Sequence, residues 1–303
     1  MQPLTRVWRP PWPCPVGLVW AHWRRGAGDP TYRVDDLGRH WRGLRTPLGP
    51  ATVCVAPLTS DEIRAQAWGE GAEWVLDRLP SMLGADDDPS GFQPAHPVVA
   101  EALRRHPHWR LGRGGLVMEA LVPAIIEQKV TGQEAFGGFR RLVHFHGERA
   151  PGPGAVLHLW VQPSAETIRG IPSWQWLKLH IDPARSRTLQ RVARVADALE
   201  RTLDVDPGLA DRRLRSIAGL GVWTSAEVRF RAHGDPDAVS FGDYHIAKDL
   251  GWALTGERVD DEALAELLEP YRPHRHRVQA LVPLVAGHAP RRGPRMAPRT
   301  HLP

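Results

Sequence analysis

The chain has 303 residues, 42% of them hydrophobic and 24% charged, with a formal net charge of +5. That is enough apolar material for one large core or two smaller ones, and it excludes wholesale disorder. No apolar run approaches the roughly 20 residues that a membrane span needs, and Met1-Gln2-Pro3-Leu4-Thr5-Arg6 lacks the layout of a signal peptide. Two cysteines, Cys14 and Cys54, are too few for a four-thiolate cluster or zinc ribbon, and point to a reducing, cytoplasmic setting.

Of 39 cationic residues only Lys129, Lys178 and Lys248 are lysine. An arginine excess follows from a GC-rich genome, and equally suits bidentate phosphate contact. Residues 289–303 hold four arginines, four prolines and no acid, the composition of a disordered basic arm. Without it the body is near neutral, so composition permits nucleic-acid binding without requiring it.

In chain order, Gly17–Trp23, Thr31–Val34, Leu37–Leu44 and Ala51–Ala56 are short β-friendly runs separated by turn sequences, which predicts an antiparallel meander of about four strands. From Ser60, a candidate N-cap, the period turns helical through Ile63, Ala67, Ala72, Val75 and Leu79, closing at Pro80. Gly115 to Thr131 is apolar nearly all round, the mark of a central buried helix stepped at Pro123. Asp182-Pro183 opens a helix with Leu189, Val192, Ala196, Leu199 and Leu203 on one face. Further helices are predicted over 207–216, 222–233 and, capped by Asp261, up to Leu268. Residues 151–175 are Pro-rich and without clear period. The expected organisation is an α+β domain over 1–80, a helical domain over 81–288 and a disordered tail over 289–303.

The segment Leu214-Arg-Ser-Ile217-Ala218-Gly219-Leu220-Gly221-Val-Trp223-Thr224 carries the chemistry. Glycines in a turn between two helices bring backbone N–H groups close to an anion, and the second helix adds its positive end. An ordinary interhelical turn uses the same residues, and Gly-x-Gly alone does not separate the two. Twenty positions after Trp223 stands Asp243, in Ser-Phe-Gly-Asp243-Tyr244. Taken alone it is a helix cap.

Together, the hairpin and the distant Asp resemble the helix–hairpin–helix DNA glycosylase superfamily, in particular its AlkA-type 3-methyladenine DNA glycosylase II branch. Leu121-Val-Pro-Ala-Ile-Ile-Glu-Gln128-Lys129 is similar to that family's buried helix ending in Ile-x-x-Gln, and Pro270-Tyr-Arg-Pro-His-Arg275 to its Pro-Trp-Arg helix start. The resemblance covers most of 115–285 and, loosely, 1–80. It implies a mainly α fold, a helix–hairpin–helix bundle with the hairpin at about 207–233. The small amino-terminal antiparallel domain would be of TATA-binding-protein-like α+β type. It makes Asp243 the catalytic carboxylate and Trp223, Tyr244 and Gln128 the base pocket. Gly219, Leu220, Gly221, Thr224, Lys129 and Arg275 become DNA contacts. No cofactor is implied beyond a structural Na+ or K+ on hairpin carbonyls near Ala218 and Gly221. Trp223 fills the slot that holds a Schiff-base lysine in bifunctional members, which implies a monofunctional enzyme.

The sequence departs from the family pattern at three places. Ala218 replaces the hairpin proline, Lys129 stands where an apolar wedge is usual, and the last long helix offers Pro283 rather than an aromatic. The implied partner is double-stranded damaged DNA, met by a monomer, with no membrane involved. Other lesion specificities (uracil, hypoxanthine, an oxidised purine) and a non-catalytic damaged-DNA-binding module share these residues. The histidine pairs 106/108, 144/146 and 274/276 lack acids or thiols at metal spacing. His274 to Arg277 is expected to open a helix against phosphate, and Asp86-Asp87-Asp88 to be a solvated loop.

Overall fold

The structure is a computed structural model that describes residues 2–59 and 61–290. The Ser60 cap and residues 291–303 of the basic tail lie outside the described residues. Residues 4–68 build a five-stranded antiparallel sheet in the order β1-β5-β4-β3-β2. Its strands are β1 (Leu4–Trp8), β2 (Tyr32–Val34), β3 (His40–Thr46), β4 (Gly49–Pro57) and β5 (Ile63–Trp68). Helix α1 (Val16–Trp20) falls between β1 and β2, and α2 (Ala72–Met82) follows β5.

Three expectations change here. Residues 17–23 form α1 and a 3-10 turn rather than a strand. Val16, Val19 and Trp20 are buried at helical spacing, so packing of one stripe overrides the β-preference of Val and Trp. Residues 63–68 form a strand, not the start of a helix. Ile63, Ala65 and Ala67 are buried while Arg64 is exposed, a two-residue alternation that places one face on the core. The helix then runs through Pro80 instead of stopping there. Proline has no N–H to donate back one turn, and the carbonyl so released, Leu76 O, accepts from Arg6 Nη1 of β1 at 2.7 Å.

The remainder is helical, as its composition predicts. It comprises α3 (Pro97–Arg105), α4 (Val117–Ile126), α5 (Gly132–His146), α6 (Ala165–Gly170), α7 (Ser173–Lys178), α8 (Pro183–Arg194), α9 (Ala196–Glu200), α10 (Pro207–Arg215), α11 (Val222–Val228), α12 (Ile246–Thr255), α13 (Asp261–Leu268) and α14 (Arg275–Leu281). A two-stranded ribbon pairs β6 (Glu148–Arg149) with β7 (Trp160–Val161), and β7 lies in the segment that sequence left unplaced. Helix α4 is the central one: every residue but Met118 is buried, and Pro123 sits inside it. It joins sheet residues such as Leu44 and Val53 to Val192 of α8 and Val228 of α11 in one hydrophobic cluster. A second cluster packs α3, α12, α13 and α14 together. Asp182 caps α8 as predicted, whereas the cap of α13 is Asp260, one residue before the expected Asp261. Among the described residues no helix is long and apolar enough to cross a membrane.

Candidate active site

The hairpin grows out of two helices whose ends the sequence fixes. Asp206 caps α10, its side chain accepting from Leu209 N at 2.9 Å, with Pro207 at the first helical position. After Arg215 the chain turns through Ser216–Gly221, and Gly221 starts α11 as its N-cap in extended conformation. Leu220 is the apolar plug of the turn, 5% exposed, which corrects its assignment as a DNA contact. Gly219 has φ +102, and a Cβ there would lie 2.4 Å from Thr188 Oγ1 on α8. Glycine is therefore required both by the backbone and by the neighbouring helix. The amides of exposed Gly219 and Gly221 make no hydrogen bond within the described residues, and so remain available to an anion.

Asp243 reaches this hairpin through tryptophan. Its Oδ2 accepts from Trp223 Nε1 at 3.2 Å, while Oδ1 accepts from the amides of His245 at 2.7 Å and Ile246 at 3.1 Å. Three N–H donors orient a carboxylate that is half-buried at the start of α12. One side chain thus joins two amides at the start of α12 to the hairpin indole. Gly242, at φ +87, donates its amide to Asp261 Oδ2 at 2.7 Å, so a second carboxylate stands one residue from the first.

Beneath the loop is a buried polar network that sequence reasoning missed. Ser240 donates through Oγ to Glu227 Oε1 at 2.7 Å, and its amide donates to Gln279 Oε1 at 2.9 Å. Glu227 is in turn paired with Arg231 at 2.5 Å. Burial pushes the Glu227 carboxyl up, but Arg231, the Ser240 hydroxyl and Arg25 together hold it below its ordinary value. The one linear signal was the spacing of Glu227 and Arg231, four apart on one helix.

The other assigned residues divide. Gln128 Nε2 donates to Gly219 O at 2.9 Å and to Thr224 Oγ1 at 2.8 Å, so Gln128 braces the hairpin against the end of α4. Thr224 is 2% exposed and serves that brace instead of meeting phosphate directly. Lys129 is exposed with φ +54, at the α4–α5 junction beside the same brace. Tyr244 is 75% exposed, with Lys248 Nζ 3.6 Å from its ring centroid, so it is not an enclosed pocket wall. Arg275 is not free for DNA. Its Nε and Nη2 each lie 2.7 Å from the Asp237 carboxylate, which fixes the start of α14 to the loop preceding Asp243.

His276 and Arg277 are buried as well; His276 stacks on Phe230 and Arg277 pairs with Asp87. Asp87, taken from sequence as part of a solvated loop, is the buried half of that ion pair and also accepts from Leu111 N at 2.8 Å. The two carbonyls expected to hold a monovalent cation are already engaged. Ala218 O accepts from Arg191 Nη1, and Gly221 O accepts from Ser225 N at 3.0 Å. A guanidinium on the first carbonyl opposes a second cation there.

Comparison with solved structures settles the architecture. A 3-methyladenine DNA-glycosylase from Archaeoglobus fulgidus superposes with a TM-score of 0.75 at 19% identity, covering 92% of this chain and 97% of that one. The fold is that of the AlkA-type, helix–hairpin–helix DNA glycosylases. A Clostridium acetobutylicum 8-oxoguanine glycosylase/lyase, solved with double-stranded DNA, shares this glycosylase fold at a TM-score of 0.69 and 11% identity, covering 93% and 96% of the two chains. In sequence, the chain is 28% identical over 233 residues to a probable bifunctional transcriptional activator/DNA repair enzyme AlkA from Mycobacterium tuberculosis. The match covers 73% of this chain and 44% of that relative, so the chain spans less than half the length of the AlkA protein it matches. No family model matches the chain.

Proposed function

We propose that the chain is a monofunctional DNA glycosylase that removes alkylated, 3-methyladenine-type bases from duplex DNA. The observation that carries this reading is Asp243, held by the indole of the hairpin residue Trp223, within a glycosylase fold. The hairpin amides of Gly219 and Gly221 bind a phosphate of the lesion strand, and the damaged nucleotide rotates out of the stack toward Asp243. Unstacking costs a few kcal/mol, and damage lowers that cost.

In the chemical step the C1′–N bond breaks and both its electrons leave with the base. An alkylated purine is already cationic, so it departs neutral without a protein acid. The sugar develops oxocarbenium character, which the ionised Asp243 stabilises. Water then adds to C1′ and gives up its proton by way of Asp243 to solvent. The Trp223 indole donates to Oδ2 and fixes the carboxylate; its ring supplies a face for a cationic base, worth about 0.5–2 kcal/mol. A tryptophan in the lysine slot forms no imine, which supports hydrolysis without strand cleavage. Two free cysteines support action in a reducing cytoplasm, and we take the working unit to be a monomer on DNA.

The test is a set of duplexes, each carrying one lesion, treated with the protein and then with alkali. Alkali-dependent cleavage at 3-methyladenine is the expected result. Cleavage at none of the alkylated, deaminated or oxidised bases would refute the reading.

A further inference from the structure

Helix α8 buries Ser186, Thr188, Leu189, Val192 and Ala193 and carries, elsewhere on its surface, a row of exposed arginines. Its sequence, PARSRTLQRVAR, contains no acid. Arg187, Arg191 and Arg194 are all exposed, while Arg185 turns inward to Ile126 O at 2.7 Å. At 3.6 residues per turn the three exposed positions fall within an arc of about 60°, and they rise along roughly 10 Å of helix. Arg187 and Arg194 make no ion pair or side-chain hydrogen bond among the described residues. Arg191 donates to Ala218 O of the hairpin, and Thr188, beside the row, is the side chain on which Gly219 packs. The row therefore abuts the exposed hairpin.

We infer that the α8 arginine row is a second phosphate track, continuous with the hairpin, that lengthens the contact with one DNA strand. This rests on the DNA-binding part of the proposed function. Phosphates on one strand succeed each other at about 3.4 Å along the duplex axis, so a row of roughly 10 Å meets two or three of them. A guanidinium has five N–H donors; Arg191 spends one on the hairpin carbonyl and keeps the rest for a phosphate. With no acid on the helix, binding the strand breaks no intrahelical ion pair. The track reads charge and spacing, not base identity, so it serves undamaged and damaged duplex alike.

The test measures binding of undamaged duplex by fluorescence anisotropy across a salt series, with four proteins: the unaltered chain, R187A/R194A, the charge-keeping R187K/R194K, and R104A/R105A on α3. The last removes the same charge from arginines that are paired with Glu101. Loss of two phosphate contacts should flatten the log–log salt slope by about 1.8 and weaken binding roughly 60-fold at 0.1 M salt. R187K/R194K should keep the slope, and R104A/R105A should change it by less than about 0.5. A folded R187A/R194A protein with an unchanged slope overturns the track while leaving the hairpin reading intact. An equal fall in R104A/R105A overturns it too, because net charge then accounts for the effect. Failure of the unaltered chain to bind duplex removes the proposed function and the track together.

Discussion

Gly221→Asp separates a phosphate-binding hairpin from a plain interhelical turn, because the structure makes the substitution harmless to the fold. Gly221 has ordinary negative φ as the N-cap of α11, and an added Cβ would meet no atom within 4 Å. Aspartate is a better N-cap than glycine by a few tenths of a kcal/mol, so thermal stability should hold or rise slightly. DNA binding should move the other way. A carboxylate about 4 Å from a phosphate adds about 1 kcal/mol of repulsion even at the dielectric of water, roughly 6-fold in affinity, and because salt screens that repulsion the log–log salt slope also flattens. Gly221→Asn keeps the cap and the Cβ without the charge, and should lose less than about 3-fold. Anisotropy titrations over a salt series, beside thermal melts of the three proteins, measure all of this. If Gly221→Asp melts no lower than the unaltered chain and binds duplex equally well with the same slope, the amides of Gly219 and Gly221 do not meet phosphate.

Asp243→Asn should lower single-turnover excision by several orders of magnitude while lesion-duplex binding persists; retention of more than about a tenth of the rate would exclude Asp243 as the charge stabiliser. Asp261 is the carboxylate to watch in that experiment, since it holds the amide of Gly242 next door. Trp223→Phe keeps a ring but removes the donor to Asp243 Oδ2, so excision should fall about 10- to 100-fold, with lesion binding much less affected; an unchanged rate would show that the indole hydrogen bond is idle. Borohydride added during turnover should trap no protein–DNA adduct, and a covalent band on a denaturing gel would show an imine-forming lysine elsewhere in the chain. Burial pushes Glu119 up to about 7, so its contribution to stability is complete below its unfolded value of about 4.5 and is lost as pH rises through about 7. Raising pH from 5 to 7 should therefore cost the unaltered chain about 2 kcal/mol more than it costs Glu119→Gln in urea melts, and equal costs would place Glu119 in an ordinary environment.

Sequence legibility followed range of interaction. The cap of α8 was visible because Asp182 bonds to amides two and three residues on and precedes a proline. Strand β5 was not, because Ala65 and Ala67, which follow Ile63 on its core face, are alanines that fit a helix as readily as a strand until the sheet is present. Helix α1 was hidden for the converse reason: Val-Gly-Leu-Val-Trp favours strand locally, and only burial of Val16, Val19 and Trp20 decides it. At the site, the hairpin glycines and Asp243 form a pattern within 25 residues and could be paired from sequence. Their supports could not. Ser240 with Gln279, Gly242 with Asp261 and Ala218 with Arg191 lie 39, 19 and 27 residues apart, between residues ordinary in their own surroundings.

Charge shows the same limit most sharply, and it determines where DNA is sought. His274 to Arg277 has the composition of a phosphate-binding helix start, yet Asp237 and Asp87 neutralise both arginines and turn them into struts. Arg25, Arg42, Arg185, Arg231 and Arg277 are each at most 7% exposed, so a formal charge of +5 says little about the potential outside the protein. Four of these guanidinium groups give themselves to a carboxylate or carbonyl, while that of Arg42 lies 4.3 Å from the ring centroid of Trp23, and such partners are visible only in three dimensions. The arginines left for the proposed DNA contact are exposed ones with donors to spare. On that criterion the carboxy-terminal Arg275 is excluded, whereas Arg187 and Arg194, in a helix that gave no sequence motif, stand exposed beside the hairpin.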